Sequence, residues 1–309
     1  MIATITLNPA IDKSLIVPRF EVGKTNRGEV RRIDAGGKGI NVAKALKQFG
    51  AEVSALGFLA GSNGRFILEA LAASGIPADF CQVQGETRVN LKIHDLVYAT
   101  ETELNEPGFQ VSPPDLQAIK QKVEEYGPRC EVMVFSGSLP PGALPATFAE
   151  LISVARAKGA RCILDTAGPG LGCGIEASPF LIKPNRAEAE ELLQAPLRTR
   201  AELAEGARRL LEMGAERAVI SMGAEGALAA SAQDLLLARP PAVAAQSTVG
   251  AGDAMVAALA YGEVNHLSFR DSFCLAMAAG AAAVTMEGSK VADLALIQSL
   301  LPRVQVEVL

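Results

Sequence analysis

Two glycine-rich turns carry the chemistry that this sequence can offer. In Thr248-Val249-Gly250-Ala251-Gly252-Asp253, glycines at 250 and 252 precede the apolar run Ala254–Leu259. They let the backbone turn tightly and aim successive N–H groups outward at a helix start, where the macrodipole is positive, which makes an anion pocket. A carboxylate at Asp253 is an odd companion for an anion unless it takes a proton from an alcohol attacking phosphorus. A second reading of this loop stays open: Asp253 as a first-turn helix acid favoured by the dipole. The other turn, Ala35-Gly36-Gly37-Lys38-Gly39-Ile40-Asn41, also leads from an extended segment into a helix. Its glycines permit close backbone approach to a ligand, Lys38 adds a cation, and Asn41 offers a donor and an acceptor to sugar hydroxyls. The alternative is a flexible turn with a solvated lysine. Neither turn is a Walker loop or a G-x-G-x-x-G dinucleotide fingerprint.

Other chemistries are thinly supplied. Cys81, Cys130, Cys162, Cys173 and Cys274 are odd in number and form no C-x-x-C pair, and His94 and His266 are the only histidines. A disulfide framework, a zinc site and a Ser-His-Asp triad are therefore poor readings. Catalysis here would fall to carboxylates, lysines, arginines and backbone amides. With a net charge of −5 and no Lys/Arg cluster, the chain has little attraction for nucleic acid or an anionic membrane surface. The most apolar stretch, Ser272–Met286 between Asp271 and Glu287, reads as a buried helix because about 20 apolar residues are needed to span a bilayer. The opening residues carry no signal-peptide pattern, so a cytoplasmic location is expected.

The elements that must position these residues follow from periodicity. Short apolar runs at Ala3–Leu7, Glu52–Phe58, Val132–Phe135, Cys162–Leu164, Phe180–Ile182 and Ala218–Ser221 have the character of strands. They alternate with amphipathic segments near Ile40–Phe49, Arg65–Ser74, Pro114–Tyr126, Pro145–Lys158, Arg186–Gln194 and Arg200–Met213. This alternation predicts an α/β fold with a largely parallel sheet covered on both faces, in one domain spanning 1–309. The last third reads as mostly helical. Two stretches, 13–33 and 87–106, break the rhythm with polar–apolar alternation and predict a small sheet acting as a lid. Arg88, Asn90 and Lys92 alternate onto one face of that sheet, a row suited to a phosphate on the acceptor, or else an ordinary solvated face.

Six ordered motifs then make the chain resemble the ribokinase-like carbohydrate kinases, in their phosphofructokinase B group. They are Thr6–Asp12, Gly36–Asn41, Ser136-Gly137-Ser138-Leu139-Pro140, Lys183–Glu188, Ser221–Gly226 and Thr248–Asp253, and the likeness runs from Ala3 to about Ser289. The resemblance implies a ribokinase-like three-layer αβα core with a β-sheet lid. It implies ATP and Mg²⁺ as cofactors and a small sugar phosphate as partner, fructose 1-phosphate first, with tagatose 6-phosphate and fructose 6-phosphate as alternatives. A noncatalytic sugar-phosphate sensor is the alternative of a different class.

Carried over residue by residue, the resemblance makes Asp253 the base and Gly250, Ala251 and Gly252 the amide nest. Asp12, Gly36, Gly37, Lys38, Gly39, Asn41, Arg88, Asn90 and Ser138 would bind the sugar phosphate. Asn185, Ser221, Gly223, Ala224, Gly226 and Gly252 would receive the nucleotide, with the small residues Ala276–Ala283 as a wall for adenine. Asn185, Glu188 and Asp165 would orient the metal and its waters. The exposed edges of a lid sheet make a homodimer through the lid a further expectation.

Overall fold

The computed structural model describes residues 1–286 and 290–309. Glu287 and Ser289, which the sequence reading used as end points, lie outside the described residues.

The first apolar run is β1 (Ile2–Thr6), every residue of which is buried. The chain continues through β2 (Ala10–Val17), β3 (Glu29–Gly36), α1 (Lys38–Gln48), β4 (Val53–Leu59), α2 (Gly61–Ala73) and β5 (Ala78–Gln82). After these come β6 (Arg88–Asp95), β7 (Thr100–Asn105), α3 (Pro113–Tyr126), β8 (Val132–Ser136), α4 (Thr147–Ala157), β9 (Arg161–Asp165) and α5 (Gly168–Glu176). The remainder is β10 (Leu181–Ile182), α6 (Arg186–Leu193), α7 (Arg200–Glu212), β11 (Ala218–Ser221), β12 (Ala227–Ala230), β13 (Leu235–Arg239), α8 (Ala251–Val264), α9 (Phe269–Val284), α10 (Leu294–Leu300) and β14 (Gln305–Val308).

Ten strands form the main sheet, in the order β14-β13-β12-β11-β10-β9-β8-β1-β4-β5. From β11 to β5 the pairing is parallel. One face is covered by α1, α2, α8, α9 and α10 and the other by α3 to α7, as the two buried clusters show. This is the three-layer α/β architecture that the alternation of runs implies. Strand order reverses at β1, which has β4 on one side and β8 on the other. The carboxyl ends of β1 and β8 therefore open a crevice, the usual place for a ligand in such sheets.

The last third holds the expected helices as α8, α9 and α10, but it is not helical throughout. After β11, strands β12, β13 and β14 add antiparallel to the sheet edge. The Ala-rich Ala227–Ala230 has weak intrinsic β preference, and its pairing with β11 and β13 overrides that. Strand β5 and helix α5 were likewise not anticipated.

The two rhythm-breaking stretches do pair, into a separate sheet of order β3-β2-β6-β7 that begins at Ala10 and ends at Asn105. Ala10 to Val17 runs parallel to Arg88 to Asp95, with β3 and β7 antiparallel on the outside. Alternation gives this lid sheet one polar face, carrying Asp12, Ser14, Asn90 and Lys92, and one apolar face, carrying Ile11, Ile33, Leu91 and Leu104.

Candidate active site

Gly250 adopts a left-handed conformation, φ 80°, and caps α8. The amides of Ala251, Gly252 and Asp253 fall in the first turn, where no intrahelical acceptor exists, so the nest of donors expected from the sequence is formed. Helix α8 is buried nearly all round, which fixes this turn rigidly. Asp253 is 7% exposed, and its Oδ2 accepts from the Asn41 side-chain amide at 2.8 Å. Burial, with Asp165 adding repulsion, pushes the Asp253 pKa up to about 6, against the pull of Asn41, Lys38 and Lys183. A carboxylate poised there can accept a proton near neutral pH. One of the two amide N–H groups of Asn41 thus goes to the base, while Oδ1 has no hydrogen-bond partner and Asn41 lines the cleft.

Asp165, at the end of β9, is 1% exposed and sits between two lysines, with Lys38 Nζ at 3.4 Å and Lys183 Nζ at 3.3 Å. Although burial opposes ionisation, the two ammonium groups hold its pKa below the usual carboxylate range. Asp165 is thereby occupied by cations instead of facing a site for a metal-bound water. Burial works against the charge of Lys38 too, but Asp165, Glu188 and Asp253 together raise its pKa. Lys183 received no role from its sequence position. The structure leaves it 4% exposed, with Nζ 3.3 Å from where a Cβ on Gly252 would stand. A side chain at 252 would press on this ammonium group, so Gly252 leaves it room against the amide nest. A lysine ending a buried apolar run was the available clue.

The crevice at β1 and β8 is a cleft of about 670 Å³ that brings together Asp12, Gly37, Lys38, Asn41, Arg88, Asn90, Ser138 and Glu188. Gly37 takes φ 113°, which favours glycine, and turns the chain from β3 into α1. A Cβ on Gly36 would run into the Asp12 carboxylate, so Gly36 is the floor on which Asp12 rests. Asp12 Oδ1 accepts from Asn90 Nδ2 at 3.0 Å. Burial raises its pKa, with Asn90 and Lys92 opposing. Gly39 lets α1 approach β1, because a Cβ there would strike Thr6 Oγ1.

At the other end of the cleft Arg88 donates to the carbonyls of Glu106 (3.1 Å) and Asn8 (3.2 Å) and to Ser138 Oγ (3.4 Å). Its Nε is buried without a partner, and burial lowers its pKa. Asn8, which sequence reasoning passed over, donates to Pro107 O at 3.0 Å and to Ser138 Oγ at 3.2 Å. Arg88 and Ser138, the latter held by Asn8, make a donor corner for an anionic group. Lys92 pairs with Glu103 at 3.1 Å across the lid.

The residues expected to hold nucleotide and metal lie to one side. Asn185 caps α6: its Oδ1 accepts from Glu188 N at 2.9 Å, and Glu188 Oε2 accepts from Asn185 N at 2.8 Å. The N-x-x-E spacing is therefore a capping box, with Glu188 still lining the cleft. Ser221 bridges to Asn185. Beyond it Gly223, Ala224 and Gly226 form an exposed-to-buried turn, tied to α6 by the Arg186–Glu225 ion pair at 2.8 Å. Ser221, Gly223, Ala224 and Gly226 do not line the cleft. The small residues of α9 mostly pack on α8, with Ala276, Ala278, Ala279 and Ala282 each 0% exposed, and Ala279 and Ala283 line only a narrow cavity of about 20 Å³ beside Gly250 and Asp253. Small side chains serve close helix approach there. Among the described residues no three His, Cys, Asp or Glu side chains group as a metal site. Mg²⁺ is commonly held by one or two carboxylates plus substrate phosphates, so Glu188 fits a metal that arrives with a nucleotide, whereas Asp165 does not.

Residues 5–294 match the family model of the pfkB family carbohydrate kinases. The chain is 40% identical over 279 residues to the 1-phosphofructokinase of Rhodobacter capsulatus, covering 90% of this chain and 88% of that protein. It is 36% identical to the 1-phosphofructokinase of Escherichia coli K12, over 99% of this chain and 98% of that one. The solved phosphofructokinase-2 of Escherichia coli, in complex with potassium, superimposes with a TM-score of 0.93 at 30% identity, over 98% of both chains. Asp253 and Gly250 line a small cavity next to the cleft, and Asn41 lines both. With a three-layer α/β core, a lid sheet, and a buried acid beside an amide nest joined to the cleft through Asn41, this chain belongs to the pfkB family of carbohydrate kinases.

Proposed function

We propose that the chain transfers the γ-phosphoryl group of ATP to the 6-hydroxyl of fructose 1-phosphate, giving fructose 1,6-bisphosphate, within a single catalytic domain that carries a lid. The observation that carries this reading is Asp253, buried beside the Gly250–Gly252 amides and held by Asn41. A sensor would need no such base. Arg88 and Ser138, with Asn8 holding Ser138, receive the phosphate already on the sugar, while Asp12 and Asn90 accept and donate to its hydroxyls. The reacting hydroxyl then lies toward Asp253, which takes its proton as the oxygen attacks phosphorus. Amides at 251–253, together with Lys38 and Lys183, offset charge on the phosphoryl oxygens. Glu188 would hold Mg²⁺, which supplies charge neutralisation on the nucleotide phosphates. The Ser221–Gly226 turn receives the nucleotide. Closure of the lid's polar face over the cleft excludes water that would otherwise hydrolyse ATP.

In this reading the protein acts in the cytoplasm; no described helix is long and apolar enough to cross a membrane. Homodimerisation through the lid is supported by its outer apolar side chains, Val30, Ile33 and Leu104, which are 52%, 46% and 55% exposed. The known phosphofructokinase-2 of Escherichia coli has been solved in a tetrameric inhibited form.

ADP release measured with fructose 1-phosphate, fructose 6-phosphate and tagatose 6-phosphate tests the substrate. The expected result is a kcat/KM for fructose 1-phosphate about 10-fold or more above the other two. A preference for either 6-phosphate would replace the substrate while keeping the base. Turnover of none of the three would favour a sensor.

A further inference from the structure

Asp12 lines the cleft and Asp165 and Asp253 lie buried behind it, and α1 directs one polar side chain toward each. Lys38 reaches Asp165, and Asn41, three residues on, reaches Asp253. Lys44, three residues further along the same helix side, continues the row toward Asp12. It is not one of the residues lining the cleft. Its ammonium group donates to the carbonyl of Ala35, immediately before the Gly36–Gly37 hinge where the lid strand β3 passes into α1. Beyond Ala35, the charge of Lys44 acts on Asp34 and Asp12. Burial lowers the Lys44 pKa and the two acids oppose that. Asp12 in turn rests on Gly36 and is held by Asn90.

We propose that Lys44 is a positioning residue for sugar binding: it pins the lid hinge to the main sheet's helix layer and sets the Asp12 carboxylate in the orientation that grips the sugar hydroxyls. The lid meets α1 through the short Ala35–Gly37 segment, in which Gly37 takes φ 113°, a region open to glycine. A bond from Lys44 to the carbonyl before that hinge removes much of its freedom. The same ammonium offsets repulsion between Asp12 and Asp34, which lie opposite each other in the β2–β3 pair. Asn90 and Lys92 on β6, Asp34 on β3 and the Arg88 guanidinium also act on Asp12, and Arg31, Arg32 and Lys290 line a cavity with it. The four that act on it belong to the lid, whereas Lys44 stands on the helix carrying Lys38 and Asn41.

The proposal rests on Asp12 as the sugar anchor, and steady-state kinetics on K44M, K44R and D12N separate the two ideas. The sugar phosphate with the highest kcat/KM and ATP are varied in turn. K44M is expected to raise KM for the sugar phosphate about 10-fold or more, with KM for ATP within about two-fold and kcat within about three-fold of the parent. K44R should restore the sugar KM to within about three-fold, because it keeps the charge and the donor. Removing a cation also raises the Asp12 pKa, so the acidic rise in sugar KM should begin at higher pH in K44M. An unchanged sugar KM, or equal damage to ATP and sugar, overturns the proposal. If D12N leaves the sugar KM unchanged, the anchor reading fails and takes the Lys44 role with it. If D12N raises it and K44M does not, only the Lys44 role falls. Should K44M not fold, K44Q is read by the same criteria, and failure of both to fold assigns Lys44 to stability alone.

Discussion

Asp253 is buried at a cost. Its pKa near 6 means that the ionised form is disfavoured relative to the unfolded chain, by on the order of 3 kcal/mol for about two pKa units. The sign is that of a raised acid: stability is highest below the unfolded pKa and is lost as pH climbs through about 6. The base, by contrast, works only above that value. D253N should therefore lose kcat by about 10²-fold or more while the sugar KM changes little. The same variant should melt at a higher temperature than the parent at pH 8 and at a similar temperature at pH 4, in differential scanning calorimetry. In the parent enzyme kcat should fall below about pH 6, and near-parental turnover in D253N would remove Asp253 as base. This is a trade of stability against function within one side chain. Asp165 shows the opposite case, an acid kept ionised by Lys38 and Lys183, which preserves two cations beside the nest.

At the scale of elements, α1 is the part on which most depends. It brings Lys38, Asn41 and Lys44 to three acids, and it can do so only because it lies close on β1. Gly39 creates that closeness: a Cβ there would meet Thr6 Oγ1 and stand 3.1 Å from the Ile5 carbonyl oxygen. G39A should lower stability by about 1–3 kcal/mol through overpacking, read by urea unfolding. Removing the Thr6 hydroxyl should recover part of this, so T6A/G39A should lose less than the sum of the single variants. Full additivity would show that Thr6 is not what G39A strikes. The capping box of α6 similarly makes Asn185 and Glu188 structural before they are chemical. Loss of either should fray the first turn as well as weaken any bound metal.

For the whole molecule, the lid divides its duties between two faces. Asp12 and Asn90 look into the cleft, while Ile33 and Leu104 lie in one register row with Lys13 and Leu91 on the opposite side. Near the base of the sheet the apolar face is covered: Ile11 and Ala35 are 5% and 2% exposed within the core beneath α1, α2, α8, α9 and α10. Farther out Ile93 is still 5% exposed, but Val30, Ile33 and Leu104 are left exposed along the sheet's two outer strands, and exposed apolar side chains grouped on a sheet commonly mark an association surface. I33D/L104D should convert the proposed dimer to a monomer in sedimentation velocity while leaving the unfolding temperature of the core nearly unchanged. A parent protein that sediments as a monomer at micromolar concentration would exclude the lid dimer.

Much of this was legible in the chain alone. Gly250–Gly252 and Gly36–Gly39 could be read because tight turns and close backbone approach leave few residue choices, and the polar–apolar alternation of 13–33 and 87–106 marked a sheet apart from the core. The parallel strands β1, β4, β8, β9 and β11 were visible as short apolar runs for the same local reason. What the sequence could not determine is what depends on partners distant along it. Ala227–Ala230 became a strand because β11 and β13 offered it hydrogen bonds. Asn8 meets Ser138 across 130 residues, and Asn41 meets Asp253 across 212. Local propensity and spacing are properties of a few neighbouring residues, so they determined the turns and the faces. Which side chain answers which acid is settled by burial and charge between elements, and only the folded arrangement of α1 against the sheet decided that Lys38, Asn41 and Lys183 serve the two inner carboxylates.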